Sequence, residues 1–219
     1  MNNEKIKLGI IIGGKSVEHE ISVISGLQTY FSVDHNKYDT TIFYLDKNNH
    51  IYVSKELNSI ETYKSNYINK EKEVFIKNIN NQIYYQYLNK PKKSYPIDIF
   101  IPVLHGYGTE DGTVVGFLDI YQAIYTCSDL IPSAIIQDKV ATKAMLKLGN
   151  FPSVEGIVAI EGKTIEEVPF PAIVKPAYLG SSIGIKVVKN KEELEQALNV
   201  AYKYTNKVLI EKAIINFKE

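Results

Sequence analysis

Apolar and polar residues alternate along the chain in short blocks that predict a mixed α/β fold. Residues 6–12 form an apolar run that ends at two glycines, a pattern typical of a buried strand followed by a turn. Apolar residues then recur at roughly helical spacing at Ile21, Ile24 and Leu27, and Ser16 stands where it could cap that helix. A strand, a glycine turn and a helix in this order open an α/β domain.

The rest of the pattern divides the chain into two predicted domains. The first, residues 1–127, is expected to be an open parallel-sheet, Rossmann-like domain. Its further predicted elements are a hairpin of residues 40–45 and 51–53, strands at 83–88 and 97–104, and a helix at 114–121. The second, residues 128–216, is expected to be a small α+β unit with an antiparallel sheet. Its predicted elements are a helix at 132–148 closed by Gly149, strands at 172–176, 184–188 and 208–210, and a helix at 191–204.

Composition and charge narrow the class of protein. Hydrophobic residues make up 45% of the chain and charged residues 23%, as in soluble globular proteins. The 25 basic residues balance the 25 acidic ones, so neither a nucleic-acid partner nor a membrane surface is predicted. The apolar runs are too short for a membrane span, no signal-peptide pattern is seen, and the single cysteine, Cys127, excludes an internal disulfide. These features predict a cytoplasmic protein.

The segment from Lys175 to Gly184 has the most informative chemical pattern. A lysine at the end of one predicted strand is followed by Gly180-Ser-Ser-Ile-Gly184 before the next strand. Glycines permit close backbone approach, so successive N–H groups and hydroxyls could face a triphosphate beside Lys175. Because all the basic residues are lysine, an anion here must bind through lysine, backbone N–H groups or helix N-termini. A plain hairpin with a solvent-facing lysine is the alternative, and the local pattern does not decide between them.

Two other glycine-rich turns follow strands of the first domain. Residues 13–20 carry Glu18 and His19, and residues 105–112 begin with His105. Ligands of α/β folds commonly bind at such strand ends, so the two turns could line one cleft. For the first turn, helix capping with a solvated charged surface is the ordinary alternative. For the second, the spacing is weak support for a metal site, and polar recognition of an amino acid is the preferred interpretation.

Five segments, in order along nearly the whole chain, share a family pattern. They are Gly13-Gly-Lys-Ser-Val-Glu-His-Glu-Ile-Ser22; Leu104-His-Gly106 with Glu110-Asp-Gly-Thr113 and Gly116; Ser133-Ala134 with Asp138-Lys139; Lys175-Pro176 with Gly180-Ser-Ser-Ile-Gly184; and Glu211-Lys212. Together they resemble the D-alanine–D-alanine ligases of the ATP-grasp superfamily. The resemblance implies a pre-ATP-grasp domain followed by a small ATP-grasp subdomain, with residues 217–219 at the start of a C-terminal domain whose remainder is absent.

The resemblance also implies a reaction and a set of site residues. ATP would convert the carboxylate of one D-alanine into an acyl phosphate, which a second D-alanine attacks to give the dipeptide used in peptidoglycan. Glu18 would hold the ammonium group of the first D-alanine near His105, and Ser181 would hydrogen-bond towards Glu18. The residues expected to bind ATP are Lys139, Lys175, Gly180, Ser181, Ser182, Gly184, Glu211, Lys212, Ile214 and Glu219.

The family's third region holds an arginine and the ligands of Mg²⁺, and these 219 residues contain no counterpart of it. We therefore expect Mg²⁺ as a cofactor, no metal ligand in this chain, and negligible catalysis by the chain alone. Val208 and Ile210 are expected to be exposed where that region would pack. Two alternatives stay open: a non-catalytic nucleotide- or D-alanine-binding remnant, and a related ligase that joins D-alanine to D-serine or D-lactate. A homodimer is a further possibility implied by the family.

Overall fold

The computed structural model describes residues 4–65, 68–165 and 167–214. The chain forms two compact units. Unit 1 is Met1–Ser133, and unit 2 is Ala134–Glu219. The predicted domain limits at residues 127 and 216 remain predictions. Within the described ranges, no helix is both long enough and apolar enough to cross a membrane.

Unit 1 is built around one seven-stranded sheet. Its strands are β1 (Ile6–Gly13), β2 (Tyr38–Leu45), β3 (Ile51–Tyr52), β4 (Glu73–Ile79), β5 (Gln82–Tyr87), β6 (Ser94–Ile97) and β7 (Ile99–Pro102). Its helices are α1 (His19–Ser32), α2 (Ile60–Lys64) and α3 (Thr113–Ile120), and α4 (Leu130–Gln137) crosses the boundary between the units. Short 3₁₀ turns occupy Lys55–Asn58 and Lys70–Lys72.

The sheet combines a parallel part with an antiparallel extension. The strand order is β6-β5-β4-β3-β2-β1-β7, and β1 runs parallel to both β2 and β7. From β2 to β6 each neighbouring pair is antiparallel. The predicted α/β fold with parallel strands is confirmed, and the predicted hairpin is present as β2 and β3. A turn as short as the one between these two strands can join only antiparallel neighbours, which explains where the extension begins.

Strand β1 lies between β2 and β7, and its alternate side chains enter two different cores. Ile10 and Ile12 are fully buried and pack with Val23 and Leu27 of α1. Ile11 belongs to the second core, whose other members include Phe43, Phe100, Val114 and Leu118. Apolar side chains therefore cover both faces of the strand, as the apolar residues 8–12 predict.

Two predicted elements are interrupted. The strand expected at 97–104 is two strands, β6 and β7, separated by Asp98, whose carboxylate accepts the Lys7 N–H over 2.7 Å. The helix expected at 132–148 is α4 followed by α5 (Lys139–Leu148). Asp138 separates them in an extended conformation, and its carboxylate accepts the N–H groups of Val140 and Ala141. A residue that caps a new helix cannot also continue the old one, so the break is at Asp138.

Unit 2 contains an antiparallel sheet and a covering helix, as predicted, and the sheet has four strands rather than the three expected. Its strands are β8 (Gly156–Ile160), β9 (Ala172–Pro176), β10 (Lys186–Val188) and β11 (Lys207–Lys212), in the order β10-β9-β11-β8. Helix α6 (Lys191–Ala201) packs on this sheet through Leu194, Ala197 and Leu198. Strand β8 was not predicted from the sequence. The expected exposure of Val208 and Ile210 was wrong, because both side chains are buried in this core.

Replacing Gly26 with alanine should destabilise unit 1. Gly26 is buried in α1, and an added β-carbon would lie 2.1 Å from Cγ2 of the fully buried Ile12. The overlap should outweigh the ~1 kcal/mol by which alanine favours a helix over glycine. We expect a net loss of about 1–2 kcal/mol in the free energy of unfolding, measured by chemical denaturation. Gln28→Ala, at an exposed position of the same helix, is the control and should change stability little.

Candidate functional site

The turn after β1 is held by buried hydrogen bonds. Gly13 and Gly14 have φ angles of 91° and 90°, which favour glycine. A β-carbon at Gly13 would lie 2.4 Å from the carbonyl oxygen of Leu45, so a side chain has no room there. The Gly13 N–H donates to Ser22 Oγ over 2.7 Å, and Ser22 Oγ donates to the Val103 carbonyl over 2.5 Å. These contacts fix the backbone that leads to Glu18.

His19 stabilises the same turn and is buried, with 5% exposure. Its Nδ1 lies 2.7 Å from the Gly14 carbonyl oxygen, and its Nε2 lies 3.1 Å from the Tyr44 hydroxyl. Since a carbonyl oxygen can only accept, Nδ1 carries the hydrogen of this bond. Burial raises the pKa of Tyr44 to about 12, and the charge of Asp46 adds to this effect. His19 is therefore a structural member of the turn, whereas Glu18 lies half-buried beside it.

The structure brings the two glycine-rich turns of unit 1 together. A β-carbon at Gly106 would lie 2.5 Å from Ser16 Oγ and 2.6 Å from Glu18 Oε2. A β-carbon at Gly14 would lie 2.3 Å from Cγ2 of Thr109. Both positions therefore require glycine, because the two turns approach each other closely. The Glu18 carboxylate faces the 105–112 loop. Ser16 does not cap α1 directly, because the helix begins at His19 and the Ser16 hydroxyl accepts from the Glu18 N–H.

The acidic residues of the 105–112 loop hold the loop itself in place. Glu110 accepts the Gly106 N–H over 2.6 Å, and Asp111 accepts the Gly108 N–H over 3.0 Å. His105 Nε2 lies 2.8 Å from Ser25 Oγ on α1, so its ring is fixed near the start of the loop. Among the described residues, no three His, Cys, Asp or Glu side chains are grouped as metal ligands. The arrangement suits polar recognition by Glu18 and His105.

In unit 2, Glu211 is a buried carboxylate shared by two lysines. It has 8% exposure, and its two oxygens accept separately, Oε1 from Lys143 and Oε2 from Lys175. Burial alone would raise the pKa of Glu211, but the hydrogen bonds from Lys143 and Lys175 outweigh burial and lower that pKa below its usual value. Residues 209 and 211 of β11 pair with 175 and 173 of β9, so Lys175 and Glu211 are diagonal neighbours on one face of the sheet.

Lys139 begins α5 and lies near this pair. Its ammonium group donates to the Leu179 carbonyl oxygen. Burial lowers the pKa of Lys139, and the positive charge of Lys175 lowers it further. The ammonium groups of Lys143 and Lys175 therefore pair with one carboxylate, and that of Lys139 is close enough to Lys175 for their charges to interact. The four side chains leave a positive excess that suits an anionic ligand.

The loop after β9 has a constrained backbone. Ser181 and Ser182 have φ angles of 49° and 59°, and both are exposed. Non-glycine residues rarely adopt these angles, and such residues are concentrated at ligand sites. Gly184 has φ 72°, and its β-carbon would lie 2.8 Å from Pro176 Cγ. The loop thus folds back on the end of β9, near Lys175, with two hydroxyls on its outside.

A cavity of about 1010 Å³ in unit 2 lies next to this charged cluster. Its lining combines charged side chains with apolar ones and includes Lys143, Glu211, Lys212, Ala144 and Val158. A pocket with apolar walls and a few fixed polar groups is typical of sites for small molecules. Glu211 and Lys212 are therefore at the edge of a space large enough for a nucleotide base.

The remaining predicted residues have separate outcomes. Lys212 ends β11 and is exposed, and Ile214 is also exposed. Glu219 lies outside the described residues. Ser181 belongs to unit 2 and Glu18 to unit 1, so their expected hydrogen bond stays a prediction. The sequence analysis missed Lys143, although its position four residues after Lys139 places both lysines on one face of a helix.

Comparison with known families identifies both parts of the chain. A family model described as "D-ala D-ala ligase N-terminus" matches residues 7–128. A second, described as "D-ala D-ala ligase C-terminus", matches residues 141–219. The first match alone includes more than half of the chain.

Curated relatives are similar over nearly the whole chain. A D-alanine–D-alanine ligase of Thermoanaerobacter sp. (strain X514) is 35% identical over 226 residues, which cover 96% of this chain and 61% of the relative. One from Thermosipho africanus (strain TCF52B) is 36% identical over 217 residues, covering 95% of this chain and 59% of the relative. The chain therefore spans about 60% of the length of these relatives.

Solved structures of D-alanine–D-alanine ligases are similar to this chain in fold. The D-alanine–D-alanine ligase from Helicobacter pylori superposes with a TM-score of 0.81 at 26% identity, covering 96% of this chain and 64% of that one. The Bacillus anthracis ligase complexed with ATP has a TM-score of 0.67 at 25% identity, covering 95% of this chain and 59% of that one.

Acid should destabilise unit 2 through Glu211. Because the folded state lowers the pKa of this carboxyl, its ionised form stabilises the fold at pH values above its ordinary pKa of 4.5. That contribution should be lost as the pH falls from 4.5 through the lowered value. Denaturation midpoints measured across this range should fall more steeply for the unsubstituted chain than for Glu211→Gln. Glu195→Gln, at an exposed position, is the control, and equal slopes for the unsubstituted chain and Glu211→Gln would contradict the assignment.

Proposed function

We propose that this chain, which belongs to the D-alanine–D-alanine ligase family, provides an ATP site and the site of the first D-alanine in a ligase that joins two D-alanines. The observation that supports this most directly is the cluster of Lys139, Lys175 and Glu211 beside the constrained loop 180–184. It combines a positive excess for phosphates with a fixed carboxylate next to a cavity large enough for a nucleotide base.

The ATP site is divided between phosphate and base recognition. Lys139 and Lys175 contact the phosphates, and the loop containing Gly180, Ser181, Ser182 and Gly184 covers them. Glu211 accepts the adenine amino group with oxygen lone pairs that the lysines leave open, since each carboxylate oxygen can accept more than one hydrogen bond. Lys212 and Ile214 offer backbone groups to the base, and Glu219 binds the ribose.

The first D-alanine binds in unit 1. Glu18 receives its ammonium group, and His105, fixed by Ser25, lies beside the same subsite. Gly106 keeps the loop backbone close to the Glu18 carboxylate because any side chain there would occupy the same space.

The proposed reaction depends on holding the first D-alanine and ATP in position. The first D-alanine's carboxylate oxygen attacks the γ-phosphorus of ATP, and the bond to the ADP oxygen breaks. The second D-alanine's amine then attacks the acyl phosphate, inorganic phosphate leaves, and the amine loses a proton. Lysines stabilise the negative charge that moves between phosphate oxygens. Mg²⁺ is the expected cofactor of the proposed reaction, and when bound it would neutralise negative charge on the phosphates of ATP.

A homodimer in the cytoplasm is the proposed working form. Ile21, Ile24 and Phe31 form an exposed apolar stripe on α1, and Ile60 of α2 is also exposed. Ile24, Phe31 and Ile60 line one groove in unit 1. Exposed apolar patches of this kind mark surfaces that associate.

Lys175→Met should weaken ATP binding. Loss of the ammonium group removes the phosphate contact and leaves Glu211 with one partner, so we expect the Kd for ATP to rise at least about ten-fold. Equilibrium dialysis of labelled ATP against the purified 219-residue chain measures this. Lys203→Met, at an exposed position of unit 2, should leave the Kd unchanged. Equal ATP affinity in the two variants would contradict the proposed phosphate site.

Glu18→Gln should weaken the binding of D-alanine. The substitution keeps the shape of the side chain but removes the charge that pairs with the ammonium group, so we expect the Kd to rise about ten-fold or more. Titration of D-alanine into the ATP-loaded chain, followed by NMR, measures the affinity, with L-alanine as the test of stereospecificity. Glu20→Gln is the matched control, since Glu20 is exposed and pairs with Lys47. Equal affinity in both variants would place the substrate elsewhere.

A further inference from the structure

Lys143 is a partly buried ammonium group that the motifs of the chain do not assign. Its side chain has 20% exposure, and it donates to two acceptors, Glu211 Oε1 and the Val154 carbonyl oxygen. A β-carbon at Gly156 would lie 3.3 Å from Lys143 Cε, so the glycine leaves space for the lysine stem. The two acceptors therefore hold the ammonium group of Lys143, and the space at Gly156 accommodates its stem.

Lys175, the other partner of Glu211, is held less firmly. Its side chain has 27% exposure, and the ion pair with Glu211 holds its ammonium group. Its charge also interacts unfavourably with that of Lys139. An anion placed between Lys139 and Lys175 would relieve this repulsion, so Lys175 is the lysine that an incoming phosphate draws away from Glu211.

We propose that Lys143 is a positioning residue that keeps Glu211 ionised and oriented for the adenine amino group after the phosphates of ATP draw Lys175 away. The inference rests on the proposed ATP site. Without Lys143, Glu211 would become a buried carboxylate with no cation, which is strongly unfavourable. The two lysines then have different roles, since Lys175 moves to the phosphates and Lys143 stays with Glu211.

A double-mutant cycle with ATP as the probe tests this coupling. In the unsubstituted background, Lys143→Met should raise the Kd for ATP about ten-fold or more. In a Glu211→Gln background, the same substitution should raise it less than about two-fold, because a neutral amide needs no cation. Lys143→Gln keeps a hydrogen-bond donor for the Val154 carbonyl oxygen but has no charge. It should raise the Kd for ATP as much as Lys143→Met does, which would show that the lost charge, and not the lost contact with Val154, causes the effect.

A pH series gives a readout that a purely structural role would not change. With Lys143→Met, ATP binding should require Glu211 to take up a proton, so the affinity should fall as the pH rises, relative to the unsubstituted chain in the same buffers. The ratio to the unsubstituted chain cancels the ionisation of ATP itself. Lys203→Met is the control, and the ratio of its ATP affinity to that of the unsubstituted chain should not change with pH. Thermal unfolding of each variant confirms that it is folded.

The outcomes separate the two proposals. Coupling to Glu211 together with a pH-dependent ratio supports the role of Lys143. ATP binding by the unsubstituted chain with equal effects of Lys143→Met in both backgrounds overturns this inference and leaves the ATP site intact. An unsubstituted chain that does not bind ATP overturns the proposed function and, with it, the role of Lys143.

Discussion

The ion pairs of Glu211 are the interaction on which the organisation of unit 2 depends. One buried carboxylate connects β11 to β9 through Lys175, and to α5 and the Val154 segment through Lys143. Removing charges from water costs several kcal/mol per ion, so apolar residues of similar volume would often stabilise a fold as well. A buried charged cluster at the edge of a large cavity is therefore better explained by ligand binding than by stability.

Among the ion pairs formed by the described residues of unit 1, none is buried, and the candidate site there is held in position by close backbone approach and hydrogen bonds. Gly13, Gly14 and Gly106 remove side chains where two turns would collide, and Ser22 and His19 tie the turn backbone to its surroundings. The half-buried Glu18 carboxylate then projects from a rigid support rather than from a mobile loop. A carboxylate carried by a fixed backbone suits the binding of a small zwitterion, because a binding site must hold its groups in position.

Much of this was predictable from the sequence, and the exceptions have physical reasons. β1 and its glycine turn were predictable, because a short apolar run that ends at two glycines is typical of a strand buried on both faces and followed by a turn. The break at Asp138 was harder to predict, because amphipathic spacing continues through it while its side chain caps α5. The motifs named Lys175 and Glu211 separately, but their pairing depends on the register of β9 and β11, which lie far apart in sequence. Lys143 was detectable only as the residue four after Lys139.

The absence of arginine from these 219 residues fits a site whose ion pairs change on binding. An arginine at position 175 could bind Glu211 through two parallel hydrogen bonds, and its planar geometry would favour staying there. A lysine presents one compact charge on a flexible stem and can exchange a carboxylate for a phosphate with little change in backbone. Such an exchange is useful only if the carboxylate keeps another cation. The second lysine on α5, one turn after Lys139, meets that requirement.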